Sequence, residues 1–137
     1  MRITCEKSGI LTFVYIYLRE FDGNIVGTLA DIKAAMLYDN NNNWIGVEVY
    51  NISTVNNKIK INLPVLKMPH ISIKNEVVKC TNENIYILFN STTKVDGKME
   101  VECNIDHNET GGLQGIEIIL YNFNANLDIA KDFIQKH

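Results

Sequence analysis

Apolar and polar positions along the chain follow, for the most part, a period of two. Val14, Ile16 and Leu18 alternate with Tyr15 and Tyr17; Val47 and Val49 with Glu48 and Tyr50; Val101, Cys103 and Ile105 with Glu100, Glu102 and Asn104. Successive side chains of a strand point to opposite faces, so each run predicts a strand with one apolar face. Lys58-Ile59-Lys60-Ile61-Asn62-Leu63 alternates as strictly and is stopped by Pro64, which has no N–H to give to a ladder. A helical period appears near the end, where Asn126 can cap a turn with Leu127, Ala130, Phe133 and Ile134 on one face. That short C-terminal helix is expected to close one open end of the sheet. Asp31 to Met36 (DIKAAM) also has helical composition and suggests a single turn.

The pattern recurs. Val14-Tyr15-Ile16-Tyr17-Leu18 resembles Ile85-Tyr86-Ile87-Leu88-Phe89, and Gly46-Val47-Glu48-Val49 returns as Gly115-Ile116-Glu117-Ile118. Each copy carries an Asp-Gly pair between these anchors (Asp22-Gly23, Asp96-Gly97) and a polar turn before the glycine: Asp39 to Asn43 in the first, Asp106 to Gly112 in the second. Four features in the same order point to an internal repeat. The fold class expected is mainly β with minor α: two antiparallel meanders packed as a sheet or sandwich, with a short C-terminal helix. One domain spans 1–137, divided into repeat one (1–52), a basic connector strand (53–79), repeat two (80–122) and the helix (123–137).

Composition changes this picture little. The 137 residues are 46% hydrophobic and 21% charged, enough apolar material for a core without disulfides or metal. The net charge of −3 is uneven: Lys58, Lys60, Lys67, Lys74 and Lys79 against Glu76 give the connector +4, leaving −7 on the rest. The apolar run Ile10 to Leu18 falls well short of the roughly 20 residues that span a bilayer. No cleavage pattern follows it. Cys5, Cys80 and Cys103 are an odd, scattered set, as reduced thiols in a cytoplasm would be. A cytoplasmic protein, prokaryotic or viral, is expected, away from membranes.

Met1-Arg2-Ile3, Tyr15-Ile16-Tyr17-Leu18, Leu37-Tyr38-Asp39 and Gly46-Val47-Glu48-Val49 resemble the small bacterial family catalogued as domain of unknown function 2283. Its pattern is a short lead strand, a Y-I-x-L strand and a D-x-x-G-x-(I/V)-G-(I/V)-E-(I/V) hairpin. Residues 1–52 follow it well and 80–122 more loosely, since the second copy lacks a clear lead strand and lengthens its turn. The resemblance implies no catalytic residues. Members thought to sit beside toxin-like proteins suggest an antitoxin or inhibitor role.

Catalytic chemistry is not legible in the chain. His70, His107 and His137 belong to no triad or metal motif, and no glycine-rich phosphate loop precedes a helix. No enzyme, metal or cofactor is expected. Asp106 to Glu117 has calcium-loop spacing, but its flanks read as strands, and an Asp/Asn/Gly turn needs no metal. The candidate binding residues are Trp44, at the tip of the Asn-rich turn, with Tyr38, Tyr50, Lys58, Lys60 and His107. A loop tryptophan either folds back on its hairpin or meets a partner. Two functions follow: a protein inhibitor acting by stoichiometric binding, or a binder of a small anionic, nucleotide-like ligand held by lysines and stacked on aromatic rings. Acidity and the absence of arginine from the connector argue against nucleic acid. Open sheet edges make a homodimer feasible.

Overall fold

The computed structural model describes residues 1–18, 25–50, 77–80, 84–90, 92–108 and 113–134. Its strands are β1 (Arg2–Ser8), β2 (Leu11–Tyr17), β3 (Ile25–Tyr38), β4 (Trp44–Tyr50), β5 (Val77–Cys80), β6 (Asn84–Leu88), β7 (Gly97–Asn108) and β8 (Leu113–Tyr121). They form one antiparallel sheet in the order β1-β2-β8-β7-β3-β4-β6-β5. The mainly β expectation holds. The two copies, however, are not two meanders laid together. They are intertwined: β2 of the first pairs with β8 of the second, and β6 of the second with β4 of the first.

Exchanging β1–β4 with β5–β8 leaves the strand order unchanged when it is read from the other edge. The correspondence extends to single residues. Glu117 lies opposite Tyr15 as Glu48 lies opposite Tyr86, and Gly115 opposite Tyr17 as Gly46 opposite Leu88. Leu18 N–H donates to Gln114 O just as Phe89 N–H donates to Ile45 O. The β3–β4 ladder slips at Leu37/Tyr38 and the β7–β8 ladder at the matching Asp106/His107. Lys33 and Glu102, themselves equivalent, face each other on β3 and β7, so the pseudo-twofold runs between them. The second copy does have a lead strand: Cys80 faces Ile85 as Cys5 faces Val14. Gly97 faces Tyr38 and Gly27 faces His107, which makes Gly27 its counterpart. The Asp22-Gly23 pair lies outside the described residues.

The sheet curls. Ile3 of β1 donates its N–H to Phe133 O at 2.8 Å, and the Phe133 ring lies 5.8 Å from Phe89, just past β6. Flat, the six strand spacings from β1 to β6 would put them about 29 Å apart. Inner-face side chains of both copies therefore share one core, including Ile3, Val14, Ile16, Met36, Val47, Ile87, Ile105 and Ile116. The long strands β3 and β7 carry the bend. β3 bulges between Leu29 and Ile32 with Asp31 at φ 58, and the Asp31 N–H donates to Asn104 Oδ1 at 3.2 Å. This bulge replaces the helical turn expected at DIKAAM. Ala34 and Ala35 are both buried in the middle of the sheet, where neighbouring strands override helical preference.

The C-terminal segment closes the open end as expected, but without a helix. It is pinned at two points as parallel bridges, Asn43 to Asn126 and Ile3 to Ile134. Between them Phe133 N–H bonds Ala130 O and Ile134 N–H bonds Lys131 O, each a single turn. The Asn126 side chain accepts the Asp128 N–H, as a cap would. A span this short between fixed ends cannot recover the cost of helix nucleation.

Candidate functional site

Asp39 organises the β3–β4 turn. Its carboxylate accepts the Asn41 and Asn43 N–H groups at 2.9 Å and the Asn43 amide at 2.9 Å. These bonds, the Asn43 side chain's first, hold its carboxyl below the usual range. Asn42 takes φ 58, a conformation asparagine tolerates. This turn directs Trp44 inward: it is 0% exposed, its indole donates to Gly46 O at 2.9 Å, and it meets Phe89 edge-on at 4.7 Å. Trp44 is thus a core anchor and presents nothing to a partner. Tyr38 is half-buried against the same core, and burial pushes its phenol up to about 12. Tyr50 packs at the edge of a small apolar cluster on the opposite, outer face. The His107 imidazole covers Gly27, where a Cβ would fall 2.7 Å from Nε2. The structure does not bring Trp44, Tyr38, Tyr50 and His107 into one site, and Lys58 and Lys60 lie outside the described residues.

The outer face distinguishes the two sides of the sheet. On the β4 side, Ala35, Leu37 and Ile45 are each 0% exposed and pack with Tyr50, Tyr86 and Leu88. The equivalent positions on the β8 side are Asn104, Asp106 and Gln114. Glu48 and Glu117 are also equivalent but differently held. Glu48 accepts from Lys98 Nζ at 2.8 Å and from Asn84 Nδ2 at 2.7 Å. Glu117 accepts from Asn104 Nδ2 at 3.0 Å, and no described cation lies within salt-bridge distance of it. Lys98 faces Leu37 across the ladder, and its counterpart, facing Asp106, is Thr28. One arrangement of strands thus carries a neutral Glu48–Lys98 pair on one side and two carboxylates, Asp106 and Glu117, on the other.

Asp106 is fixed by Tyr15 Oη at 2.5 Å and Thr28 Oγ1 at 2.6 Å. Burial first, then the bond to Asp106 and the nearby carboxylates, raise the Tyr15 phenol far above its ordinary value, so it stays a donor. Beside this pair runs a groove of about 480 Å³ whose lining includes Asp31, Glu100, Glu102, Glu117, Ile119 and Tyr121. Phe13 faces Ile119 and Leu11 faces Tyr121; Phe13, Ile119 and Tyr121 are 38%, 42% and 70% exposed. The equivalents of Phe13 and Ile119 on the other side are Asn84, bonded to Glu48, and the half-buried Tyr50. An exposed cross-strand apolar pair thus lies beside two carboxylates that are hydrogen-bonded but, among the described residues, without an ion-pair partner. Sequence reasoning missed this surface because Leu37 and Asp106 become comparable only once the register is known.

What the fold and site define is a pseudo-twofold, curled antiparallel sheet with one polar, acidic outer face. No protein-family model, curated protein or solved structure matches the chain.

Proposed function

We propose that the chain is a small non-catalytic binding protein that inhibits one protein partner by stoichiometric association, in the manner of an antitoxin or immunity protein. The observation that carries this reading is the inequality of the two outer faces. The fold builds a covered face on the β4 side from Ala35, Leu37 and Ile45, yet leaves Phe13, Ile119 and Tyr121 in solvent on the β8 side. Exposed apolar residues concentrated on one face favour an interface over scattered surface variation. The non-catalytic part is supported by the strongly shifted groups, Tyr15, Tyr38 and Cys103, which burial holds neutral and unreactive. The groove's carboxylates would repel a phosphate, so the anionic-ligand alternative rests on lysines outside the described residues. The test is affinity capture from the native host followed by light scattering. One partner at a fixed one-to-one or two-to-two ratio is the expected result, and a capture no different from a tag-only control would end the proposal.

A further inference from the structure

We infer that the outer face of β2, β8 and β7 docks a basic protein segment in which lysine or arginine side chains alternate with apolar ones. This rests on the binding reading above and names the chemistry of its partner. Asp31, Glu100, Glu102 and Glu117 line the groove and Asp106 lies beside them; none is ion-paired to another described residue. Lys33, opposite Glu102, is the cation facing them from the neighbouring strand. Carboxylates gathered on one face make its potential negative and attract a cationic partner through several ångströms of solvent.

The fold does not require this charge. At matching positions the β4 side substitutes Leu37 for Asp106 and neutralises Glu48 with Lys98, and the same strand pairing results. The exposed Ile119 and Tyr121 line the groove and Phe13 pairs with Ile119 from the next strand, so a segment with one charged and one apolar edge matches both features. A second copy docking through the same face would set these carboxylates against each other.

The probes are three short fluorescent peptides of equal length: alternating lysine and leucine, lysine and serine, and glutamate and leucine. Anisotropy is read against the full chain, a Glu100→Gln/Glu102→Gln/Glu117→Gln variant, a Phe13→Ser/Ile119→Ser variant and an Asp132→Asn control from the exposed tail. The lysine–leucine peptide should bind best, roughly tenfold or more weaker to either multiple variant, unchanged with the control, and weaker as salt rises. Unaltered melting of the variants confirms their folding. Equal binding of the glutamate–leucine peptide, no binding of any peptide, or an unaffected triple variant overturns the inference. Self-association in sedimentation velocity that Phe13→Ser/Ile119→Ser abolishes also overturns it, by giving the face to a second copy. A partner captured from the host that binds wild type and triple variant alike preserves the inhibitor reading while removing this face from it.

Discussion

Gly46 and Gly115 are equivalent, yet alanine should fail at them for different reasons. A Cβ at Gly46 would lie 2.0 Å from the Ile87 carbonyl oxygen, a backbone atom with nowhere to go. An ordinary carbon–oxygen contact is about 3.3 Å, so β4 and β6 must part by roughly 1 Å. That strains two or three ladder bonds at about 1 kcal/mol each and loosens the packing of Val47 on its neighbours, while stiffening the unfolded chain returns about 0.5–1 kcal/mol. Gly46→Ala should therefore destabilise by about 3 kcal/mol, lowering the melting temperature by about 10 °C. A Cβ at Gly115 instead meets the Tyr15 side chain, 2.4 Å from Cε1 and 2.5 Å from Oη. The ring can swing aside at the expense of its bond to Asp106, a cost of about 1.5–2 kcal/mol for a bond to a charged group. Thermal melts of a double-mutant set separate the two mechanisms. In a Tyr15→Ala background Gly115→Ala should become nearly neutral, whereas Tyr86→Ala should not rescue Gly46→Ala. A Gly46→Ala melt within about 2 °C of wild type, or an undiminished Gly115→Ala penalty without Tyr15, would refute this reasoning.

The intertwined pairing predicts that residues 1–76 and 77–137, expressed separately, lack cooperative melts but form a one-to-one folded complex on mixing. A cooperative melt of either fragment alone would contradict the swapped ladders β2–β8 and β4–β6. Tyr38 titrates near 12 in the fold against an ordinary 10, so the native state holds its proton longer than the unfolded chain. Its contribution is complete below pH 10 and is lost as pH climbs towards 12; in Tyr38→Phe, denaturation midpoints across that window should fall less steeply than in wild type. Trp44, the single tryptophan, should emit at short wavelength and resist acrylamide quenching until unfolding. Trp44→Ala should cost about 3–5 kcal/mol by denaturant titration, and an already red-shifted native spectrum would place the indole outside the core.

Much of the strand content was legible because period two is a local property. Val47 and Val49 do face inward and Glu48 outward, and the anchors at Gly46 and Gly115 fall at equivalent registers. What was hidden depends on partners distant in sequence. DIKAAM reads as helix until β4 and β7 flank it and Asp31 adopts a left-handed conformation that bends the strand. Val77–Cys80 is too short to stand out beside the connector. The tail has a helical stripe, but its ends are tied to Ile3 and Asn43. Trp44 follows four asparagines and looks exposed, yet Asp39 folds the turn so that the indole enters the core. Of the candidate residues, none of those described lines the acidic groove. Its residues were in view, but only as the polar half of strand alternation.

The asymmetry of the outer faces has an energetic meaning. Burying Leu37 and Ile45 on the β4 side gains about 1.5–3 kcal/mol each, a large share of the roughly 5–15 kcal/mol that holds a domain folded. The β8 side places Asp106 and Gln114 there, exchanging that apolar gain for hydrogen bonds such as those Asp106 accepts from Tyr15 and Thr28. It further gathers Asp106 and Glu117 on adjacent strands with Thr28 in place of Lys98, while Phe13 and Ile119 face water. Leaving Phe13 and Ile119 in water and Glu117 without a cation gains the isolated chain nothing, and the opposite side shows that the same topology is built without either. A feature that the fold does not demand fits the partner proposed above. A cationic, partly apolar partner would meet both features at once, covering Phe13 and Ile119 and neutralising Glu117 as Lys98 already neutralises Glu48.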